Sequence, residues 1–582
     1  MTTKAPGIKT AAKPSLIGLL RPYWVWIGLL VALTIVANGL NLFVPQILAK
    51  AIDNFTAGNF HLPAVLLQFF FAAAGIFILT YLQSIVQTFT SERVARDLRT
   101  RLVAKISVQD YAYIQKVTPA KLLTNLTSDV DAIKTFVSQA IASIVSSLFL
   151  ILGTSVLLLL IDWQLALAVL IVVPIIAVTF YLVLSRVRKL FRKSQEALDW
   201  LNKVINESII GSSLIRLLNS QASEYDKFVA ANTQAKNLGL QIIRLFSALI
   251  PVIVFSTNLA TLIILSFGGH LVITGTVSLG DFTAFNSYLA ILIFPILIIG
   301  FMSNVIAQAT ASYGRLLVVL EAPEAKDNGT LETELRGDID VRDISVVYGE
   351  KPALQGVSFS AKAGTRTAII GPTAAGKTQL LYAMTGLLEP ASGSVEYDGR
   401  AIDDYKKAAL HRQIGFVFQD SSLFNLTLRE NIAFSNTVGD AEIEKAIDTA
   451  ELRDFIESLP QKLDTIVSER GTSLSGGQKQ RIMLARALAL NPKILLLDDF
   501  TARVDGNTER KILANVTKNY PGITLVSVTQ KIAPVETYDQ IVLLMEGQVL
   551  GIGTHAELMH NSPEYVQIYR SQQSTENYEL SA

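Results

Sequence analysis

Cysteine is absent from the 582 residues of this sequence, and charged residues are scarce. A chain without cysteine cannot form disulfides, bind zinc through thiolates or use a cysteine nucleophile. Asp, Glu, Lys and Arg make up 17% of the residues, whereas soluble proteins carry about 25%. The formal net charge of +1 gives no support to nucleic-acid binding, and we expect no nucleic-acid partner. The mean hydropathy of +0.40 instead indicates substantial membrane content.

The scarcity of charge is confined to one half of the chain. Residues 1–324 carry 24 basic and 15 acidic side chains, and the remainder carries 26 basic and 34 acidic ones. A membrane-spanning helix needs about 20 mostly apolar residues. Six windows of the first half have that length and contain no charged residue: 22–49, 54–91, 135–161, 163–185, 245–280 and 282–314. Buried helices of a large soluble protein are the alternative, which six such windows make a poor explanation.

Basic residues set the expected orientation of these spans. Eight lie between the second and third spans and ten between the fourth and fifth, whereas the other connections are short and nearly uncharged. The basic segments, both termini and the second half are therefore expected in the cytoplasm, and the bilayer, most simply the plasma (inner) membrane, is one partner. An organellar membrane stays open. The apolar stretch from Pro22 is too long for the core of a cleavable signal peptide and is interpreted as the first span.

The two basic segments have the composition of helices that continue out of the bilayer. Residues 91–134 and 186–244 contain no glycine or proline except Pro119, Gly211 and Gly239. About 20 residues per leg would reach about 30 Å at 1.5 Å per residue. Pro119 and Gly211 fall near the midpoints of the two hairpins, where we expect a turn or a short crossing helix.

The second half contains a phosphate-binding loop. An apolar strand pattern, residues 367–371, leads directly into Gly-x4-Gly-Lys-Thr. The two glycines allow main-chain N–H groups to approach phosphate oxygens, and the following helix directs its positive end toward them. Lys377 should reach the β- and γ-phosphates, and the Thr378 hydroxyl should bind Mg²⁺. The nucleotide-binding residues are expected to be Gly371, Pro372, Thr373, Ala374, Ala375, Gly376, Lys377, Thr378 and Gln379.

Two further motifs lie downstream of the loop. A second apolar strand pattern ends in Asp498, where an α/β fold needs a carboxylate near Mg²⁺. Between the two strands lies Leu474-Ser475-Gly476-Gly477-Gln478, followed by a helical pattern. Taken alone, this motif is either a phosphate-binding helix N-terminus or a simple helix cap.

The order of these motifs resembles ATP-binding-cassette (ABC) proteins, and Leu474–Gln478 resembles their signature. Tyr348 is similar to the aromatic residue that stacks on adenine, Gln419 to the Q-loop glutamine that joins Thr378 and Asp498 around Mg²⁺, and Asp505 to the D-loop aspartate. The stretch Ser468–Gly471 is similar to the loop before the signature of exporters. The resemblance implies a half-transporter that uses ATP and Mg²⁺.

The implied fold is an all-α membrane domain of six transmembrane helices with long cytoplasmic extensions, followed by an α/β P-loop ATPase domain. We place the membrane domain at residues 1–325 and the ABC nucleotide-binding domain at 326–582. The expected spans lie near 22–49, 60–90, 136–161, 163–185, 245–271 and 282–308.

Two residues depart from the family pattern. The residue after the magnesium aspartate is normally a glutamate that polarises the attacking water, and here it is Asp499, one methylene shorter. The switch histidine is replaced by Gln530, which can donate a hydrogen bond but cannot carry a positive charge. Both changes affect hydrolysis, whereas the binding residues are intact. The pair predicts a site that holds ATP but hydrolyses it slowly.

A slow site has a consequence for assembly, because cassettes of this family sandwich ATP between one chain's phosphate loop and the other chain's signature. The intact signature of this chain should complete a partner's site. We therefore expect a heterodimer with a related half-transporter that carries the glutamate and the histidine. A homodimer with two slow sites is the alternative. ATP-driven closure should reach the membrane domain through the hairpin ends near Thr118–Leu123 and Gly211–Leu217.

The resemblance favours export of hydrophobic or amphipathic compounds, such as drugs, lipids or peptides. The spans contain no acidic residue that would indicate proton coupling or a cationic substrate. Two other interpretations stay open: an importer of metal-chelate compounds on the same fold, and an ATP-gated channel or regulator.

Overall fold

The structure is a computed structural model that describes residues 15–324, 327–348, 351–420, 422–435, 437–468, 471 and 474–581. The chain divides into two compact units. One comprises the residues up to Val108 together with Val117–Pro323, and the other comprises Gln109–Lys116 together with the residues from Glu324 onward. The lysines near the N-terminus and the pair Glu469-Arg470 lie outside the described residues.

The first unit consists of helices and their connections, with no strand among its described residues. Its helices, together with the short helix α3 that the contacts assign mainly to the second unit, are α1 Leu16–Thr56, α2 Leu62–Ser107, α3 Tyr111–Val117, α4 Pro119–Ile161, α5 Trp163–Ile210, α6 Ser212–Leu217, α7 Gln221–Ile273 and α8 Leu279–Leu320.

Six of these helices are long and apolar enough to cross a membrane, and they cover the predicted spans, except that α2 begins at Leu62, two residues after the start of the span predicted at 60–90. They have 41 to 53 residues, which corresponds to about 60–80 Å, whereas the hydrocarbon core takes about 30 Å. The surplus length confirms that helices continue beyond the bilayer. Pro119 begins α4 and Gly211 separates α5 from α6, so the chain changes direction where the sequence predicted it.

The short helix α3 lies directly before Thr118–Leu123, where the sequence predicts the end of the first hairpin. Its residues, Gln109–Lys116, are grouped with the second unit, which the sequence did not indicate. Thr118, immediately before Pro119, has a positive φ of 69° and separates the two segments.

Asp53 joins the end of α1 to the start of α8. Its carboxylate accepts hydrogen bonds from the Ser278 hydroxyl and from the Gly280 main-chain N–H, both at 2.8 Å. A Cβ at Gly280 would lie 2.1 Å from the carbonyl oxygen of Ala49, so only glycine permits this approach. This polar junction explains why a charged residue, Asp53, lies between the first two apolar windows.

The second unit contains two sheets. Its strands are β1 Ile339–Tyr348, β2 Lys351–Ala361, β3 Arg366–Ile370, β4 Ser392–Tyr397, β5 Arg400–Ala401, β6 Ile414–Val417, β7 Ile494–Asp498, β8 Thr524–Thr529, β9 Gln540–Met545 and β10 Gln548–Gly553. Its helices are α9 Lys377–Met384, α10 Lys407–His411, α11 Leu428–Ala433, α12 Asp440–Thr449, α13 Arg453–Glu457, α14 Gly476–Ala489, α15 Gly506–Asn519, α16 His555–Asn561 and α17 Pro563–Ser581.

The larger sheet has the order β10-β9-β3-β8-β7-β6, and β9 to β6 pair in parallel. Alternate residues of β3 and β7 enter different cores: Ile370 and Leu497 pack with the helices, whereas Ile369 and Leu496 pack toward the antiparallel sheet β2-β1-β4-β5. Burial on both faces explains the uninterrupted apolar runs that the sequence showed. The predicted α/β ATPase fold after a six-helix membrane domain is thus confirmed.

The strand order places three loops beside one another. The segments after β3, β8 and β7 begin with Gly371, Gln530 and Asp499 respectively. Because β8 lies between β3 and β7 and all three are parallel, their carboxyl ends meet at one edge of the sheet.

Candidate nucleotide-binding site

The phosphate loop folds tightly because its glycines allow main-chain contacts that a side chain would block. A Cβ on Gly371 would lie 2.0 Å from the carbonyl oxygen of Leu544. Gly376 has a φ of +95°, and a Cβ there would lie 2.5 Å from the carbonyl oxygen of Ala353. Between the two glycines lie Pro372, Thr373, Ala374 and Ala375. Helix α9 begins at Lys377, directly after Gly376. The loop therefore surrounds an open space at the N-terminus of a helix, the geometry that binds phosphate.

Lys377 occupies the centre of this loop. Its ammonium donates hydrogen bonds of 2.7 Å to the carbonyl oxygens of Gly371 and Pro372, and its side chain is buried. Burial lowers the pKa of Lys377, an effect that Asp499 and Asp498 oppose. A bound phosphate would place a negative charge beside this buried ammonium, which donates here to uncharged carbonyl oxygens.

Thr378 and Asp498 form a polar pair beside the loop. The Thr378 hydroxyl donates to Oδ1 of Asp498 at 3.2 Å. The second oxygen, Oδ2, is buried and has no hydrogen-bond partner among the described residues. Burial raises the pKa of Asp498 to about 6, which the Thr378 hydrogen bond opposes and Asp499 reinforces. A buried carboxylate oxygen without a partner is a free ligand for a cation.

This oxygen set fits Mg²⁺ better than a softer metal. Hydroxyl, carboxylate and amide oxygens are the ligands that Mg²⁺ prefers, and Gln419 lines the same cavity. The described residues contain no cluster of three or more His, Cys, Asp or Glu side chains that could hold a metal alone. Mg²⁺ would therefore depend on nucleotide phosphate oxygens and water for its remaining ligands.

Tyr348 lies at the edge of the cavity, whose volume is about 340 Å³. Its hydroxyl donates to Oε1 of Gln379 at 2.6 Å, while 53% of the residue stays exposed. Partial burial raises the pKa of Tyr348. The ring thus projects at the end of β1 with a free surface, as an adenine-stacking residue requires.

The two residues that depart from the family pattern line the same cavity. Asp499 follows β7 with a left-handed φ of 48°, and its main-chain N–H donates to the carbonyl oxygen of Val528 at 3.0 Å. Oε1 of Gln530 accepts a hydrogen bond from the Thr373 hydroxyl at 3.4 Å. Both residues therefore line the same cavity as the phosphate loop.

The signature residues lie apart from this cavity. Ser475 caps α14: its hydroxyl accepts from the Gln478 N–H at 3.2 Å, and its own N–H donates to the Gln478 side chain at 2.8 Å. Gly476 and Gly477 pack against Arg503, leaving 2.9 Å between the carbonyl oxygen of Arg503 and a Cβ at Gly477. Leu474 packs against the core of the unit. None of the five signature residues lines the phosphate cavity, so within one chain they do not act on its nucleotide.

Asp505 has a structural function that is visible in a single chain. Its side chain accepts a hydrogen bond of 2.9 Å from the Thr508 N–H and so caps α15. The hydrogen bonds at this helix N-terminus lower the pKa of Asp505. The structure thus explains the aspartate as a cap, and its D-loop function stays a prediction.

Two sets of residues near the site were not found by sequence analysis. Tyr111 of α3 meets the ring of Tyr382 at 5.4 Å, and Tyr382 meets Phe416 and Phe418, directly before Gln419. Gln572 of α17 is hydrogen-bonded to the main chain at Gln530. Neither has a local sequence pattern, because both depend on contacts between distant segments.

The chain matches two protein families. Residues 27–296 match "ABC transporter transmembrane region", and residues 354–502 match "ABC transporter". Among curated proteins, it is 32% identical to "Uncharacterized ABC transporter ATP-binding protein YfiB" of Bacillus subtilis (strain 168), over 97% of this chain and 99% of that protein. It is 31% identical to "Probable multidrug resistance ABC transporter ATP-binding/permease protein YheI" of the same strain, over 95% and 96%.

A solved structure has the same fold. The chain superposes on "Structure of a bacterial Atm1-family ABC exporter with ATP bound" with a TM-score of 0.78 and 24% identity, covering 95% of this chain and 99% of the other. Together with the phosphate loop and the six membrane helices, these matches show that the chain belongs to the ABC transporter family, as a multi-pass membrane protein whose cytoplasmic ATPase domain is coupled to transport.

Proposed function

We propose that this chain is one half of a heterodimeric exporter of hydrophobic or amphipathic compounds. Its own site binds ATP with Mg²⁺ and hydrolyses it slowly, and its signature completes the faster site of a related half-transporter. One observation carries the proposal: Asp499 and Gln530 line a phosphate cavity whose binding residues are all in place.

The binding half of the site supports tight retention of nucleotide. Main-chain N–H groups of the loop and the ammonium of Lys377 would hold the phosphates. Thr378, Asp498 and Gln419 would hold Mg²⁺ together with phosphate oxygens, and the ion would neutralise charge that develops on the phosphoryl group. These residues match the family pattern at every position.

The hydrolytic half is weaker in two respects. The carboxylate of Asp499 ends one methylene short of a glutamate, about 1.5 Å, and small misplacements of a catalytic group can cost about 100-fold. Gln530 has no charge to place near the terminal phosphate, and its carboxamide oxygen already accepts a hydrogen bond from Thr373. ATP should therefore stay bound here over several cycles.

The position of the signature supports assembly with a second chain. The N-terminus of α14 is capped, partly exposed and outside this chain's own phosphate cavity. A helix N-terminus binds anions through its free N–H groups and its dipole. It would therefore contribute to the nucleotide of another cassette, and a partner that carries glutamate and histidine would make that second site the hydrolytic one.

Cavities of the membrane unit support an amphipathic cargo. One of about 470 Å³ lies between α1 and α4 and is lined almost entirely by apolar residues, including Phe43, Phe149 and Val156. A smaller one of about 270 Å³ lies between α7 and α8 and presents Thr257, Thr261 and Asn286. The multidrug name of the relative YheI favours the same class of compound.

A pair of variants tests this division of labour in inside-out vesicles that contain the chain and its co-purifying half-transporter. Asp499→Ala should reduce ATP-dependent uptake of a fluorescent amphiphile less than twofold, because this site contributes little hydrolysis. Ser475→Arg should reduce the ATPase activity of the complex more than 100-fold, because it inserts a bulky side chain into the partner's site. Ser458→Arg, at another exposed serine of the same unit, is the control.

Equal losses in the Asp499 and Ser475 variants would contradict the proposal. ATP-dependent movement of the amphiphile out of the vesicles would indicate an importer instead, and ion current would indicate a channel.

A further inference from the structure

The loop that carries Gln530 is held by a residue from the far end of the chain. Gln572 lies on α17, and its side-chain amide donates to the main-chain oxygen of Gln530 at 2.7 Å. The oxygen of the same carboxamide accepts from the Ile532 N–H at 2.9 Å. One side chain therefore satisfies two main-chain groups, two residues apart, on the loop that follows β8.

Among the described residues, the strand pairing of β8 does not continue into this loop. β8 ends at Thr529, and the neighbouring Lys531 N–H donates to the Thr529 hydroxyl at 3.1 Å. The carboxamide of Gln572 acts as a neighbouring strand would, by offering one donor and one acceptor in a plane. The main-chain position of Gln530 thus depends on a side chain of the C-terminal helix.

The position of Gln530 matters because its side chain lines the phosphate cavity. The Thr373 hydroxyl donates to Oε1 of Gln530, and the Nε2 donor of Gln530 has no hydrogen-bond partner in the part of the chain that the structure describes. A donor at this place can reach an oxygen of a terminal phosphate, which ATP has and ADP lacks. The loop geometry therefore bears on the discrimination between the two nucleotides.

We propose that Gln572 is a positioning residue of the nucleotide site. By holding the main chain from Gln530 to Ile532, it keeps the Gln530 amide directed at the terminal phosphate and so favours ATP over ADP. The inference rests on ATP occupying this cavity, as proposed above. It does not depend on the heterodimer, on the direction of transport or on the cargo.

The helix that carries Gln572 has its own anchors, so a change at this residue need not detach it. Tyr565 is fully buried, and its hydroxyl lies 2.8 Å from Nδ1 of His555. Ile568 and Tyr569 also pack against the core. The neighbour Gln573 donates to the Tyr569 hydroxyl of its own helix at 2.8 Å, which makes it a matched control.

The test uses the complex purified from native membranes and photolabels this chain with 8-azido-ATP in the presence of Mg²⁺. Unlabelled ATP and ADP compete, and the label is measured in the gel band of this chain. Gln572→Ala should weaken competition by ATP about tenfold, the effect of losing a hydrogen bond to a charged group, and change competition by ADP less than twofold. Gln573→Ala should leave both unchanged.

A double-mutant comparison separates positioning from general damage. Gln530→Ala should lose the same preference for ATP, and Gln530→Ala with Gln572→Ala should lose no more, because Gln572 acts through Gln530. Gln572→Glu keeps the acceptor for the Ile532 N–H but loses the donor to Gln530, so it should lose part of the preference for ATP. This variant also provides the test if Gln572→Ala folds poorly.

Three results would overturn the inference: an unchanged preference in Gln572→Ala, an equal loss of ATP and ADP, or a further loss in the double variant. Failure of the unmutated chain to photolabel has a different meaning. It would refute ATP binding in this cavity and the proposed function together with this inference.

Discussion

Lengthening Asp499 to glutamate should accelerate hydrolysis at this chain's own site. The main chain at this residue is fixed, because β7 pairs with β8 up to Asp498 and the Asp499 N–H donates to Val528 at 3.0 Å. The carboxylate therefore cannot approach the nucleotide by a shift of the backbone. One additional methylene extends its reach by about 1.5 Å.

The expected gain follows from that distance. A misplacement of about 1 Å in a catalytic group costs about 100-fold in rate, which corresponds to about 2.7 kcal/mol of activation free energy. Because Gln530 still lacks a charge, Asp499→Glu alone should recover part of this factor, between about 10- and 100-fold. Asp499→Glu with Gln530→His should approach the full factor. Glutamate tolerates the left-handed φ of 48° less well than aspartate, so a small loss of folding stability should accompany the gain.

The assay is single-turnover hydrolysis of γ-labelled ATP by the complex, in which the slow phase reports this site. Asp499→Asn removes the charge at nearly constant size and should leave the slow phase at or below its original rate. If the chain assembles with itself, the only phase is slow and the same acceleration applies. A slow phase that stays within threefold of the original in the double variant would refute the idea that these two side chains limit hydrolysis.

Two other predictions concern residues outside the phosphate loop. Burial raises the pKa of Glu509 to about 7 from its ordinary 4.5. Because the carboxyl group ionises at lower pH in the unfolded chain, the free energy of unfolding should fall by about 3 kcal/mol as pH rises from about 4.5 to 7. Glu509→Gln should abolish this loss, so the thermal midpoint of the ATPase domain should change less between pH 5 and pH 8 in the variant. Tyr111→Ala removes the ring whose centroid lies 5.4 Å from that of Tyr382. The variant should weaken the stimulation of ATPase activity by the transported compound up to tenfold, whereas labelling by 8-azido-ATP should be unchanged. Tyr81→Ala, which removes an exposed ring of the membrane unit, is the control.

Much of the fold could be predicted because its signals are local. Charge-free windows identify the six membrane helices, and each helix covers all or most of one window. The phosphate loop has a fixed spacing, and the sequence placed it correctly between a strand and a helix. Pro119 and Gly211 marked the hairpin turns because proline and glycine restrict where a helix continues.

The arrangement around the site could not be predicted in the same way. That β8 lies between β3 and β7 depends on the pairing of Ile494 with Thr524 and of Arg366 with Leu525, residues that are distant in the sequence. This pairing brings Gln530 beside both Asp499 and the phosphate loop. The grouping of Gln109–Lys116 with the second unit depends on ring contacts such as Tyr111 with Tyr382. Gln572 acts through two hydrogen bonds to residues 40 positions or more away. No local pattern reports contacts of this kind.

The most direct test of the central claim is a count of the nucleotides in the complex after one turnover. The complex is loaded with ATP and Mg²⁺, allowed to hydrolyse for one cycle and then rapidly separated from free nucleotide. We expect one intact ATP to be recovered per complex, attached to this chain by photolabelling, and ADP only at the other site. Recovery of ADP at both sites with a single rate would contradict the account, because Asp499 and Gln530 would then support hydrolysis as fast as the partner's residues.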